Sequence, residues 1–233
     1  MDPIKAVLTF CAALFFVLSP LLTGGFSGYD PALFPVPQDN PPAQPAGYAF
    51  AIWGPIYIWL LVSAGAGLFT ARSTDPEWER TRLPLILSLG PGAAWIPVAG
   101  FTPLWATALI FWMLGTALWA LFASPAKDRW LLQAPLALYA GWLTAAAWVS
   151  LALVGAGYGI GPGATGWALV ALAGAFATAA LVQTRLHRAP EYGAATVWAL
   201  IAITVANAGS ATVVAMLAAI GAIGLATLAW RAR

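Results

Sequence analysis

The chain has 233 residues, of which 61% are hydrophobic and only 8% are charged. Several apolar runs reach the roughly 20 residues that a helix needs to cross a bilayer, so a polytopic membrane protein is predicted, with no room for a soluble domain of ordinary size. The net charge of +2 gives no support to nucleic-acid binding, and a single cysteine, Cys11, cannot form an intrachain disulfide.

Apolar length and helix-breaking residues predict an all-α integral membrane protein with about eight transmembrane helices. The first run follows Lys5 but lacks a small-x-small cleavage site, so it is interpreted as a retained helix and not as a signal peptide. The last two runs are separated only by Asn207–Ser210 and could instead form one kinked helix. The predicted spans are 4–22, 48–71, 83–101, 103–124, 130–155, 167–186, 192–207 and 209–230.

The positions of the basic residues favour eight spans. With eight spans, all ten Lys and Arg residues fall on one side of the membrane, whereas merging the last two would move Arg231 and Arg233 to the other side. Because basic residues are enriched in cytoplasmic loops, both termini are predicted to be cytoplasmic, in a bacterial inner membrane.

The opposite side carries one substantial loop, residues 24–47, with six prolines among small and polar residues. Such a segment is extended and stiff. It is either a connector or a lid over a space between the helices, since a loop of this length in a compact protein usually has a task. Pro41, Pro42 and Pro45, which lead into the second span, are assigned to this lid.

The third span contains Gly90-Pro91-Gly92 and then Pro97. It is therefore predicted to be kinked or locally unwound, which membrane helices tolerate where neighbouring protein satisfies the freed backbone groups. This places the third span inside the bundle.

Candidates for chemistry are few. No Asp, Glu, Lys or Arg falls clearly within a span, which counts against an ion-coupled carrier. His187, the only histidine, is interpreted as an interfacial polar residue, and no His/Cys cluster has metal-binding spacing. The residues therefore give no positive indication of an enzyme or of a metal.

The chain does contain thirteen tryptophans. Those at span ends, such as Trp130, are explained as interfacial anchors. Others fall at mid-depth or in the outer half of the membrane, beneath the proline-rich loop, where they serve either as packing and lipid-facing side chains or as walls of an apolar pocket for a flat, conjugated ligand. The candidate ligand-binding residues are Phe50, Trp53, Tyr57, Trp95, Trp112, Tyr139, Trp142 and Trp148.

Several of these residues also carry a family resemblance. The first five spans resemble the TspO/MBR family of tryptophan-rich sensory or translocator proteins, although Gly92 and Ser150 stand where that family has asparagines. The matching residues are Pro45, Phe50, Trp53 and Tyr57 in the second span, Trp95 and Pro97 in the third, and Tyr139, Trp142 and Ala146 in the fifth.

The resemblance implies a five-helix membrane part, residues 1–155, in which the loop 24–47 covers a ligand cavity. Residues 156–233 would then be a three-helix extension packed in the same membrane domain. It also implies a hydrophobic planar ligand, with a non-covalent tetrapyrrole as the leading candidate, bound for sensing, trafficking or breakdown. The alternatives are an assembly subunit that packs against another membrane protein or a second copy of itself, and a passive transporter of a small apolar solute.

Overall fold

Residues 3–232 are described by a computed structural model, and this part of the chain folds into nine α-helices without strands. Short 3₁₀ turns cover Pro31–Leu33, Gly47–Ile52 and Ala71–Thr74, and a π-helical turn covers Arg129–Gln133. The helices are α1 Pro3–Thr23, α2 Trp53–Phe69, α3 Pro76–Gly92, α4 Trp95–Phe101, α5 Pro103–Ala123, α6 Ala134–Gly157, α7 Gly163–Leu186, α8 Pro190–Asn207 and α9 Thr212–Arg231.

Proline, glycine and capping residues set the helix ends. After α1 the chain turns at Gly24 and Gly25, whose φ values of 83° and 78° suit glycine. α3 begins at Pro76 behind Asp75, whose side chain accepts a hydrogen bond from the Glu77 N–H at 2.8 Å. These ends follow from local sequence alone.

Seven helical segments within the described chain are long and apolar enough to cross a membrane, with α3 and α4 counted together as one. α8 has 18 residues and is not among the seven, because polar residues such as Glu191 in its first turn and Asn207 at its end lower its mean hydropathy. All eight predicted spans are helical. The seventh, which corresponds to α8, is the one that is not apolar enough to be a candidate span.

α8 and α9 form an antiparallel hairpin. A Cβ added at Gly193, near the start of α8, would lie 2.7 Å from the Cβ of Ala229, near the end of α9. The alternative of one long kinked helix over residues 192–230 is therefore wrong, because the two segments pack side by side.

The predicted break in the third span is confirmed. α3 ends at Gly92 and α4 begins at Trp95, on either side of a two-residue turn. Gly92 itself is buried, and a Cβ there would lie 2.9 Å from Met113 Cε and 3.1 Å from the Phe16 ring. The break thus lies against α1 and α5, inside the bundle.

α6 is the central helix. It packs against α2, α5, α7 and α8 and is the most buried of the seven candidate spans. A single cluster of buried apolar side chains extends from Phe16 on α1 through Leu143 on α6 to Leu225 on α9. The five-helix part and the C-terminal helices consequently share one core.

Charged residues gather at one end of the bundle, which we call the charged end. Arg82 is only 3% exposed and is satisfied by Glu79 together with backbone carbonyls of α2 and of the 3₁₀ turn that follows it, as a buried charge requires. The ion pairs are Lys5–Glu79, Arg82–Glu79, Arg72–Asp128, Lys127–Asp75, Lys127–Glu77 and Arg129–Glu191. Together they bring the starts of α1, α3 and α8 and the α5–α6 connection to the same end of the bundle, as the positions of the basic residues predict. Arg233 lies outside the described residues.

Candidate ligand-binding site

The outer loop, residues 24–46, lies across the opposite end and is fastened to helices on both sides of the core. Val36 N–H donates to Gly157 O at 2.8 Å, and Ala46 N–H donates to Ala202 O at 3.1 Å. Asn207 at the end of α8 donates from Nδ2 to Pro42 O at 2.9 Å. Some of the hydrogen bonds that hold the loop in place therefore come from the C-terminal helices.

Tyr29 fastens the loop from its inner side. Its hydroxyl is buried and lies 2.5 Å from the hydroxyl of Ser150 on α6. Burial raises the pKa of Tyr29, so the phenol stays protonated and one of the two hydroxyls donates to the other.

Directly beneath the loop lies cavity 1, of about 40 Å³. Its walls come from the loop, from the 3₁₀ turn before α2, and from α4, α5, α6 and α8. The large side chains around it are Phe26, Tyr29, Pro45, Phe50, Trp95 and Trp142.

Cavity 2, of about 190 Å³, lies next to it between α1, α2 and the α3–α4 break. Phe16, Trp53 and Tyr57 line it, and Gly92 leaves room that a side chain would fill. The two cavities share four lining residues that form the partition between them, namely Phe26, Phe50, Trp95 and Ile110.

The predicted aromatics make direct contact around these cavities. Trp53 and Tyr57 stack with ring centroids 5.2 Å apart at 15°, and Trp53 meets Trp142 edge-on at 6.2 Å. Phe26 meets Trp95 edge-on at 4.7 Å. Offset-stacked and edge-to-face pairs are the favoured arrangements of aromatic rings, so these contacts fix the orientation of the rings around the cavities.

Five of the eight candidate residues thus line the cavities: Phe50, Trp53, Tyr57, Trp95 and Trp142. Tyr139 does not line either one; it is fully buried, 3.0 Å from the Ser88 hydroxyl, and its ring contacts Phe16 at 5.7 Å. Of the three lid prolines, Pro45 lines cavity 1. Pro41 and Pro42 do not line it; their carbonyl oxygens accept hydrogen bonds from Gln44 N–H and Asn207 Nδ2.

Trp112 and Trp148 lie away from the cavities. Trp112 is 52% exposed on the outer face of α5, where its indole donates to Leu87 O at 2.9 Å. Trp148 packs between α6 and α7 and donates to the Thr178 hydroxyl at 3.1 Å. Trp148 follows Trp142 on α6 at an angle of about 240° around the helix, so the two rings cannot face the same space.

Phe16, Phe26 and Tyr29 complete the site and were not among the predicted residues. A signal for two of them exists, because Phe26 and Tyr29 are large aromatic side chains in a loop that otherwise consists mainly of proline, glycine and polar residues. Phe16 has no comparable signal, since α1 contains other phenylalanines that face outward, such as Phe15 at 63% exposure.

Trp142 carries an unusual polar group. Its side chain is 2% exposed and lines cavity 1, yet its indole Nε1–H has no acceptor among the described residues. By contrast, the indole of Trp95 on the opposite wall donates to Ala106 O at 2.9 Å. A buried donor without a partner costs about 1–3 kcal/mol, so such a group is uncommon and calls for a partner such as a water molecule or a ligand.

The size of the cavities limits what can bind without movement. Pockets that enclose drug-sized molecules measure roughly 300–1,000 Å³, more than either cavity 1 at about 40 Å³ or cavity 2 at about 190 Å³. A macrocycle therefore requires the partition to move, and Phe26 is the member of the partition that the outer loop carries. No group of three or more His, Cys, Asp or Glu side chains that could hold a metal occurs in residues 3–232.

Comparison with known proteins adds one finding. The family model described as TSPO-like protein matches residues 38–230, which include α2 to α9 and the end of the outer loop. The match continues past residue 155 through the three C-terminal helices and does not include α1. No curated protein and no solved structure matches the chain.

Proposed function

Because the chain belongs to the TSPO-like protein family, we propose that it binds a hydrophobic planar molecule within the membrane, in cavities 1 and 2 beneath the outer loop. Phe50, Trp53, Tyr57, Trp95 and Trp142 provide flat aromatic walls, and the loop covers the site. Such a protein would serve sensing, trafficking or breakdown of the ligand, in a bacterial inner membrane with the loop on the periplasmic side.

The observation that carries the proposal is the unpartnered indole N–H of Trp142 at cavity 1. A ligand that presents a carbonyl or carboxylate oxygen there would satisfy this donor, while its flat body stacks on the surrounding rings. Apolar walls with one or two placed polar groups are typical of small-molecule sites.

A tetrapyrrole fits this chemistry, because it is flat, conjugated and carries carboxylates at its edge. Its size requires cavities 1 and 2 to join through displacement of Phe26 and Phe50 from the shared partition. The ligand would then extend from Trp142 toward Trp53 and Tyr57.

Binding is favoured over passage through the bundle. A third cavity, of about 20 Å³, lies toward the charged end around Thr9, Thr81 and Arg82, and it shares no lining residue with cavities 1 and 2. Tyr139, Leu89 and Leu60 are buried side chains of the core between the ends. Passive transport of a small apolar solute would need this core to open.

The proposal is tested by titrating purified protein with protoporphyrin and following tryptophan quenching and the Soret band. Saturable binding to the wild type is expected. Trp53→Ala, which removes a wall, should weaken it at least tenfold, whereas Trp112→Ala on the outer face of α5 should leave it unchanged. If binding is not saturable, or if both variants bind like the wild type, the tetrapyrrole assignment is wrong.

A further inference from the structure

The polar side chains around cavities 1 and 2 are all uncharged. They are Ser19, Tyr29, Gln44, Trp53, Tyr57, Trp95, Trp142 and Ser150. No Lys, Arg, His, Asp or Glu stands among the described residues that line either cavity. The site therefore offers hydrogen-bond donors and acceptors to a ligand but no counter-ion to a charged one.

Neither end of the bundle supplies a cation to the cavities. On α2, the rise of 1.5 Å per residue puts Phe69 about 18 Å from Tyr57. Arg72 comes after this helix end and is paired with Asp128 at 2.9 Å. At the opposite end, the outer loop has no basic residue, and its charged residues are Asp30 and Asp39, which are exposed carboxylates. An anionic ligand beneath the loop would thus find no positive partner.

Gln44 brings a neutral amide to the wall of cavity 1. The amide lies against Gly28, where an added Cβ would be 2.8 Å from Nε2 and 3.2 Å from Oε1 of Gln44. Gly28 has a φ of 130°, which suits glycine, so the loop leaves this space to the amide. Cavity 1 consequently combines this amide with the Trp142 N–H that has no acceptor among the described residues.

Such surroundings separate neutral from ionised ligands. An ionised carboxylate that leaves water for this site loses its hydration and gains no opposite charge, which costs far more than burying a neutral carbonyl group. A carbonyl oxygen accepts the hydrogen bond of the Trp142 N–H without that cost. Of the two oxygen acceptors that suit Trp142, a carbonyl and a carboxylate, the surroundings therefore favour the carbonyl.

We propose that cavities 1 and 2 select an uncharged ligand, a flat aromatic molecule that presents a carbonyl oxygen to Trp142, over its carboxylate counterpart. This inference rests on the proposed function, because it concerns the ligand of the same site. A tetrapyrrole would bind with its carboxyl groups esterified, or with its carboxylates kept outside the cavities in water.

Equilibrium dialysis of the purified full-length protein tests this selectivity, with empty micelles of the same detergent as the reference. The probes are 2-acetylnaphthalene and 2-naphthoate, which have the same flat ring and a carbonyl group but differ in charge. The wild type should bind the ketone at least about tenfold more tightly, because only the carboxylate loses a charge's hydration.

A charge placed in the wall separates this site from a general preference for apolar molecules. Gln44→Lys puts a cation at cavity 1 and should reduce the preference for the ketone at least about fivefold, since it supplies the missing counter-ion. Gln38→Lys is the matched control, because Gln38 belongs to the same loop and lines neither cavity. It should leave the preference unchanged.

The inference is overturned if 2-naphthoate binds the wild type as tightly as the ketone, if neither probe binds saturably, or if the two lysine variants change the preference equally. Protoporphyrin and its dimethyl ester, titrated in parallel, separate this inference from the tetrapyrrole assignment. Saturable binding of protoporphyrin together with equal binding of the two naphthalene probes removes only the inference. Preference for the ketone without binding of either porphyrin removes only the tetrapyrrole.

Discussion

Trp142 is the residue on which the ligand-binding proposal depends most. Trp142→Phe keeps a flat ring but removes the N–H that has no partner in the protein. We expect ligand affinity to fall about three- to tenfold, the range for one hydrogen bond, while the thermal stability of the ligand-free protein stays the same or rises slightly. Fluorescence titration and thermal unfolding on the same samples measure both effects.

Trp119→Phe is the matched control, since Trp119 is half-exposed on α5 and lines neither cavity. A parallel loss of stability and affinity in Trp142→Phe would instead assign Trp142 to packing.

Asp128 makes the stability of the charged end depend on pH. Its carboxylate accepts hydrogen bonds from Arg72 Nε at 2.9 Å and from Trp78 Nε1 at 3.0 Å, and the Arg72 hydrogen bond is the main cause that holds the pKa of Asp128 below its ordinary value. The charged form therefore stabilises the fold above the pKa of the unfolded chain, about 3.9, and this stabilisation disappears as the pH falls through the lower folded value.

Asp128→Asn is expected to lower the unfolding temperature at pH 7, and the difference from the wild type should shrink below about pH 4. Thermal unfolding in detergent across this pH range measures the difference. Asp39→Asn, at an exposed loop position that forms no described ion pair, should follow the wild-type curve. An Asp128→Asn difference that stays constant with pH would contradict the assignment.

Among the helices, α6 and α8 approach each other closely at Gly141. A Cβ there would overlap the backbone carbonyl of Tyr192, which cannot rotate away as a side chain could. Gly141→Ala should therefore force the helices apart and destabilise the protein by about 1–3 kcal/mol, the usual cost of overpacking. Gly115→Ala, in an open position on α5, should be neutral or slightly stabilising; equal unfolding temperatures for the two variants would refute the close approach.

The hold of α8 on the outer loop can be tested through Asn207. Asn207→Ala removes the hydrogen bond to Pro42 O and should increase amide hydrogen exchange in residues 41–47 and speed ligand release. Gln38→Ala is the control, because the Gln38 amide donates only to carbonyls of its own loop. Unchanged exchange in Asn207→Ala would mean that the loop is held by its other contacts.

At the scale of the whole molecule, the charged end and the outer loop must face opposite sides of the membrane. In a Cys11→Ala background, Lys127→Cys should react with a membrane-impermeant thiol reagent only from the cytoplasmic side. Asp39→Cys should react only from the periplasmic side, since both positions are exposed. Labelling of both cysteines from one side would refute the arrangement of basic residues as a guide to topology.

The sequence by itself determined the class of protein, the positions of the spans and the break at Gly92. These properties depend on local composition, since apolar length decides which segments can span a bilayer and proline and glycine interrupt helices wherever they stand. It also placed the basic residues at one end, because each span reverses the direction of the chain. The family resemblance rested on the same local patterns around Trp53, Trp95 and Trp142.

Only the tertiary structure decided which aromatic side chains share a space. Trp142 and Trp148 lie on one helix within the same stretch, but only the packing of α6 against α2, α5 and α7 assigns the first to a cavity and the second to a helix interface. Phe16 and Phe26 joined the site for the same reason, since contacts between distant segments leave no periodic signal in the chain. The volumes of the cavities and the hold of α8 on the loop likewise depend on how the helices pack, which local sequence does not encode.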